Sequence, residues 1–520
     1  MRPTIALFII AVLLFSATNF GGIRSPDSEL VFRVGESIAR GRGFEVPRRL
    51  ELWEEFGVAE GRGGKLYAIF GPLESIVAAP GIRLASLIDA SRWYDHIDWL
   101  PVSFYVGNGL LEYLDGRKPA SREPHALRFL VSFLNAILTA LTCVVFWMMA
   151  RMMIASRPAA LFATALLGSG TLLWPYSGTF FSEPLATLLV LCSCALLVWA
   201  DPAFCSRKDE RRTRALLLSG VSLGLATAAH ITAVLFAPFF IAYSWHIGFR
   251  AARVRSKLSF VLFLIGLAGM LALLGAYNDF RFGSVLETGR SVQAGGLATT
   301  AYSRFVAPWR GLWALLVSPG KGLLLLCPAV IAGLLAWRAF HRKHRVLSYV
   351  LGGALVARLA FIASRSDWHG GFCLGPRYLV MAIPFCILPV LFWLQDQVDT
   401  KRVRNLALFA TFTVLCASQQ LYFSLGEIFS YYQLTKFKYA RLGVNIFTND
   451  RLYLDGEFSP LFNLAGGRLG PFWLHSSSVG VGTAWFIGTL FFAALAAFAF
   501  IRLSRHLGAP GPRPRRARSG

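Results

Sequence analysis

Charged side chains are scarce in this chain, and the few beside its apolar runs are the ones placed to do chemistry. Asp27 and Glu29 stand in "GGIRSPDSELVFRVGESIARGRGF" at 21–44, just after an apolar run at 4–20. Glu183 closes the turn "WPYSGTFFSEP" at 174–184, and Arg281 lies in "YNDFRFGSVLETGR" at 277–290. Lys321 sits in "SPGKGLLLLCP" at 318–328, and His369 and Arg377 in "SRSDWHGGFCLGPRYL" at 364–379. Ionisable groups at membrane depth are costly, so each marks a candidate site. Cations near headgroup depth suit the phosphate or pyrophosphate of a lipid. A carboxylate opposite them can take a proton from an acceptor hydroxyl, or hold a divalent metal such as Mg2+ or Mn2+. The combination fits transfer of a group from a lipid phosphate.

Each residue also has a plainer reading. Lys321 can snorkel to the interface. Glu183 can serve the positive end of a helix, and Arg281 can tie its loop to a carbonyl. Asp27 can cap a helix beginning near Leu30. Arg377 is different, because it follows Gly375-Pro376 at a helix start, where the dipole disfavours a cation.

The elements that must position these residues are membrane helices. Of the 520 residues, 55% are hydrophobic and only 15% charged, where a soluble chain carries about a quarter charged. Apolar runs fall at 4–20, 127–150, 158–174, 184–200, 215–229, 231–247, 258–277, 311–337, 346–363, 377–394, 405–421 and 480–501. The expected fold is an all-α polytopic membrane protein of about 12 transmembrane helices, since roughly 20 apolar residues span a bilayer. The formal charge of +24 follows the topology: with the N-terminus inside, "SRKDERRTR", "RAARVRSK", "WRAFHRKHR", "TKRVR" and the tail "RPRRARSG" all fall inside. The short outer turns at 175–183 and 230 carry no Lys or Arg, and most of the 28 acids lie outside. This is the positive-inside pattern, so the basic charge argues for membrane partners and against nucleic acid. The expected place is the inner (cytoplasmic) membrane, with both termini cytoplasmic and the site extracytoplasmic. The first apolar run is read as an uncleaved helix, though Arg2 and "SATNFGG" also suit a signal peptide.

One transmembrane core at 1–421 is expected, including a first outer loop at 21–125. A second outer loop at 422–479, a last helix at 480–501 and a basic tail at 502–520 follow. Within the first loop, "LYAIFGPLESIVAAPGIRLASLI" at 66–88 is apolar but interrupted by Pro72, Pro80 and Gly81, which reads as interfacial helix. Of the eight cysteines only Cys373 falls clearly outside, so no external disulfide is expected.

The ordered motifs resemble those of bacterial membrane glycosyltransferases of the GT-C class, the polyprenyl-phosphate-sugar-dependent enzymes related to protein O-mannosyltransferases and lipid A aminoarabinose transferases. "PDSELVFRVGESIARGRGF" resembles their first-loop acidic motif, and "GGKLYAIFGPLESIVAAP" the G-K-x-Y-x-x-x-G-P pattern that follows it. "YNDFRFGSVLETG", "SPGKGLLLLCP" and "GGFCLGPRYL" resemble later loop motifs. The resemblance implies sugar transfer with inversion from a polyprenyl-phosphate donor to a lipid, polysaccharide or protein acceptor. It places Asp27 as base or metal ligand, and Arg377, with Lys321 and Arg281, at the leaving phosphate. Lys65 and Tyr67 then line the same cavity, with Glu29, Glu183 and His369 as further substrate-binding candidates. The family's adjacent Asp-Glu is Asp27-Ser28-Glu29 here, which leaves the role of Glu29 open. A flippase or transporter of a polyprenyl-linked sugar is the alternative, although no internal repeat of the transporter kind is visible.

Overall fold

The computed structural model describes residues 2–46, 57–96, 100–114, 117–205, 209–250, 254–290, 304–441, 443, 450–464, 487–491, 494–495 and 498. The expected tail and most of the expected last helix lie outside the described residues. So does the end of the second outer loop.

Helix α1 (Arg2–Ala17) is apolar from Ile5 to Phe15 and packs on α6. It stops where Asn19 takes over the backbone: its amide donates to the Ser132 carbonyl at 3.0 Å and its oxygen accepts from the Gly21 N–H at 2.7 Å. Gly21 has φ +74°, and a Cβ there would lie 2.7 Å from the Phe129 ring, so a side chain is barred on both counts. Helix α2 (Pro26–Ala39) then begins with Ser25 as its N-cap, the hydroxyl accepting from the Ser28 N–H, and with Pro26 in the first turn. Both residues are favoured there. Asp27 is therefore inside the first turn and is not the cap, which corrects the helix start expected near Leu30.

Two short strands, β1 (Val58–Glu60) and β2 (Leu66–Ala68), form an antiparallel hairpin with Ala59 opposite Tyr67. They are the one sheet among the described residues of an otherwise helical chain. The apolar stretch after it is a single helix, α3 (Leu73–Asp89), despite Pro80. One face packs on α2 and on α5, while Leu84, Leu87 and Ile88 stay exposed, as an interfacial helix requires.

After α4 (Gly109–Leu114), α5 (Glu123–Val131) and α6 (Leu134–Met153) make one apolar span of 31 residues. Then come α7 (Arg157–Ser169), α8 (Leu173–Ser177), α9 (Glu183–Ala200), α10 (Asp209–Ala229), α11 (Ala237–Arg250) and α12 (Val254–Phe282). Helices α10 and α12 cross closely because Gly220 faces the Phe263 carbonyl, where a Cβ would come to 2.0 Å. Small residues permit such approach in membranes. The chain continues with α13 (Pro308–Val317), α14 (Leu323–Leu326), α15 (Ala329–Lys343), α16 (Arg345–Ala363), α17 (Ile383–Ile387), α18 (Val390–Asp399), α19 (Val403–Leu425) and α20 (Ile428–Ala440).

Among the described residues, 7 helical segments are long and apolar enough to cross a membrane: Glu123–Met153, Glu183–Ala200, Ile231–Gly248, Phe260–Phe282, Arg345–Ala363, Arg377–Asp399 and Val403–Leu425. Several other expected spans exist in another form. The run at 158–174 bends between α7 and α8. The run at 311–337 is broken into α13, α14 and α15 at Pro319-Gly320 and at Pro328, since proline cannot continue the ladder. The freed carbonyls are answered from α19: Gln419 and Gln420 donate to Leu325 and Leu326, each at 2.8 Å. Backbone exposed at a break in a membrane must find such partners. The molecule is a polytopic helical membrane protein, and its largest buried cluster among the described residues runs from α6 to α20 and on to Leu464.

Candidate active site

Three candidates far apart in sequence meet at one end of the bundle. Asp27 comes from the first turn of α2, Glu183 from the start of α9, and Arg377 from the start of the Arg377–Asp399 span. Arg377 Nη1 lies 2.9 Å from Asp27 Oδ2, and its Nε lies 3.0 Å from Glu183 Oε1. The Glu183 contact is charge without hydrogen-bond alignment, for neither atom has a bonded partner. Burial differs along the set: the Glu183 side chain is 2% exposed, Arg377 12% and Asp27 18%. One guanidinium thus stands between a buried carboxylate and a more open one. The Phe181 ring lies under it, 4.6 Å away.

The loop that delivers Arg377 is built for the purpose. Gly370, Gly371 and Gly375 all have positive φ, which turns the chain tightly ahead of Pro376. The Tyr176 hydroxyl donates to the Leu374 carbonyl at 2.8 Å, pinning this loop to α8.

Two residues that the sequence reading missed stand behind Glu183. His230 Nε2 is 3.7 Å from Glu183 Oε1, and its Nδ1 pairs with the Thr232 hydroxyl at 2.9 Å. Arg358, fully buried in α16, donates to the Thr232 carbonyl and hydroxyl and, through Nε at 2.8 Å, to the Tyr378 carbonyl. It therefore ties the turn holding His230 to the residue after Arg377. A lone arginine within an apolar span was the available signal for Arg358. A histidine in a short turn offered none.

Glu29 lies on another face of α2. It is fully buried, with Oε1 on Arg33 Nε at 2.9 Å and Oε2 on Arg128 Nε at 2.8 Å. Residues two apart on a helix do not face the same way. Glu29 locks α2 onto α5, while Asp27 faces Arg377.

Lys65, Tyr67 and Arg281 form a second group. Tyr67 is buried in β2 against Phe280 and Phe282. Arg281 donates to Asn278 Oδ1 at 2.8 Å and to the Ala68 carbonyl, and its guanidinium lies 3.9 Å from the Tyr277 ring. The hairpin reaches α12 because Gly61 has no side chain: a Cβ would come to 2.3 Å from the Arg281 carbonyl. Lys65 is 56% exposed and pairs with Glu45 at 2.6 Å. That contact raises its ammonium above the ordinary lysine value.

Lys321 and His369 form a third group, under the Arg377 loop. Lys321 is fully buried, and its Nζ donates to the carbonyls of Gly371 and Cys373 at 2.8 and 2.6 Å. The rings of Tyr453 and Tyr432 flank it at 4.9 and 5.3 Å. His369 stacks on Tyr453 at 4.4 Å, and its Nδ1 accepts from the Gly371 N–H. Burial, Lys321 and Arg377 together push its imidazole down to about 3. In this arrangement both residues hold the loop that presents Arg377. Cys373 and the other seven cysteines are free thiols.

A divalent metal at Asp27 would need further donors. Among the described residues no three His, Cys, Asp or Glu side chains gather to hold one, and Asp27 and Glu183 both contact the Arg377 guanidinium.

The family model for dolichyl-phosphate-mannose-protein mannosyltransferases matches residues 112–280, about a third of the chain. None of the curated proteins matches it in sequence. Solved structures similar to it include ArnT from Cupriavidus metallidurans bound to undecaprenyl phosphate, 15% identical, covering 96% of this chain and 77% of that one with a TM-score of 0.48. The archaeal oligosaccharyltransferase AglB from Archaeoglobus fulgidus, in complex with an inhibitory peptide and a dolichol-phosphate, is also similar: 13% identical, covering 81% of this chain and 55% of that one, TM-score 0.43. The matched segment carries Glu183 at the start of α9 and His230 in the turn after α10.

Proposed function

We propose that the chain transfers a sugar from a polyprenyl-phosphate donor to a hydroxyl-bearing acceptor, with inversion, on the extracytoplasmic side of the cytoplasmic membrane. The observation that carries this reading is the meeting of Asp27, Arg377 and Glu183 at one end of the bundle. Both termini are then cytoplasmic, in accord with the placing of the basic segments. The acceptor is a lipid, a polysaccharide or a protein.

In the proposed step the acceptor oxygen attacks the anomeric carbon of the sugar. The bond between that carbon and the phosphate oxygen breaks, and the polyprenyl phosphate leaves with the electron pair. Asp27 takes the acceptor proton, a task for a carboxylate open enough to be reached. Arg377 meets the negative charge on the departing phosphate, where a fixed guanidinium stabilises most. Glu183, with His230 behind it, keeps Arg377 oriented when the phosphate draws it from Asp27. Arg281, with Tyr67 and Lys65, is proposed to bind the donor farther along α12. Lys321, His369 and Glu29 contribute by holding the elements that carry Arg377 and Asp27.

The test is transfer by purified protein in lipid vesicles from a panel of radiolabelled polyprenyl-phosphate sugars, with and without EDTA. Release of polyprenyl phosphate by wild type and not by Asp27→Asn supports the reading. The EDTA arm tells whether a divalent metal takes part with Asp27.

A further inference from the structure

A pocket opens beside Asp27, between the end of α1, the first turn of α2, the turn at 175–181 and the junction of α19 with α20. Its walls are mostly apolar, with Phe180, Phe181, Phe372 and Phe429 among them. Arg24 lines it and is 7% exposed. The Arg24 Nη2 donates to the Phe20 carbonyl at 3.3 Å, whereas its Nε and Nη1 are buried with no acceptor. Three rings, of Phe20, Phe104 and Tyr113, lie 5.2–5.3 Å from its guanidinium. The rings meet the charge of the cation, and the Tyr113 hydroxyl lies within its reach, but Nε and Nη1 have no aligned acceptor.

The other polar groups of the pocket are already engaged. The Glu427 carboxylate accepts from the Phe429 and Ser430 N–H groups and so caps α20. The hydroxyls of Ser25 and Ser28 bond to each other at 2.7 Å. Among the described residues no carboxylate stands within ion-pair distance of Arg24. A buried cation with idle donors is costly, and its complement is an anionic oxygen. The pocket adjoins the proposed base directly: Ser25 and Ser28 flank Asp27, and Phe181 forms its wall while supporting Arg377.

We infer that this pocket is an acceptor subsite for an anionic group, a phosphate or carboxylate carried on an apolar body, with Arg24 on the anion and the apolar walls on the body. The inference rests on the glycosyl-transfer reading for its role, and its binding chemistry can be tested apart from that reading. The probes are dodecyl phosphate, dodecanoate and uncharged dodecanol, titrated calorimetrically into the full-length protein in phosphatidylcholine nanodiscs saturated with polyprenyl phosphate. Wild type is expected to bind one or both anionic probes and to ignore the alcohol. Arg24→Met should weaken that binding at least tenfold, with a smaller loss in Arg24→Lys. The tighter of the two anionic probes identifies the acceptor's charged group. Equal binding by wild type and Arg24→Met overturns the inference. So does displacement of the probe by polyprenyl phosphate, which would assign Arg24 to the donor, and so does loss of the folded state in both variants, which would make Arg24 structural. Asp27→Asn should bind the probes like wild type; a wild-type protein that releases polyprenyl phosphate from no donor of the panel would remove the glycosyl-transfer reading while leaving the titration result intact.

Discussion

Replacing Asp27 by Asn removes a charge and leaves the local fold in place. Ser25 is the cap of α2, so no capping bond is lost. Arg377 keeps its contact with Glu183 at 3.0 Å, so the buried guanidinium is not stranded. What disappears is one charge-assisted contact at 2.9 Å, about 2 kcal/mol, and one anion in a helix first turn, about 0.5 kcal/mol. The protein should stay folded. A missing general base costs roughly 100- to 10,000-fold in rate, so transfer should fall by that factor while donor binding holds. The assay is release of polyprenyl phosphate together with labelled product from vesicles, beside a thermal melt in the same lipid. A folded Asp27→Asn variant with wild-type turnover would refute the assignment, because an amide cannot accept the proton.

Arg377→Met leaves Glu183 buried against an unprotonated His230; transfer should drop at least a hundredfold and stability by about 3–5 kcal/mol. Adding Glu183→Gln should restore the melt and not the activity, and a double variant with activity restored would count against Arg377 at the phosphate. Glu29→Gln strands Arg33 and Arg128 and should cost about 3–5 kcal/mol, read by denaturation, while the turnover of whatever folds changes little. Gly61→Ala drives a Cβ to 2.3 Å from the Arg281 carbonyl and should cost about 1–3 kcal/mol, visible as a raised KM for the donor if the hairpin helps to bind it. His369 is held neutral down to about pH 3, whereas the unfolded chain takes up that proton near pH 6.5. A lowered folded pKa gives stability that is full above 6.5 and lost as pH falls toward 3. About 2 kcal/mol should go by pH 5, and His369→Gln should flatten the dependence of Tm on pH between 7 and 5.

Much of this molecule was legible in its amino-acid order. Hydropathy runs mark the membrane helices because burial of apolar surface is additive along a helix and needs no knowledge of neighbours. The interfacial character of 73–89 follows from the same reasoning. Ionisable residues beside apolar runs pointed to Asp27, Glu183 and Arg377, since a charge at membrane depth is costly wherever the chain folds. The sequence could not separate Asp27 from Glu29: both sit in one helix turn, and which one faces Arg377 depends on how α2 is rotated against α5. Nor could it tell that Lys321 would meet the carbonyls of Gly371 and Cys373, across 50 and 52 residues of chain. His230 and the idle donors of Arg24 acquire meaning only from what the tertiary structure brings beside them. Local propensity and hydropathy are properties of a segment, so the sequence alone determined the helices and the candidate charges. Pairing, burial and the opening of a pocket are properties of segments packed together, and these the tertiary structure decided.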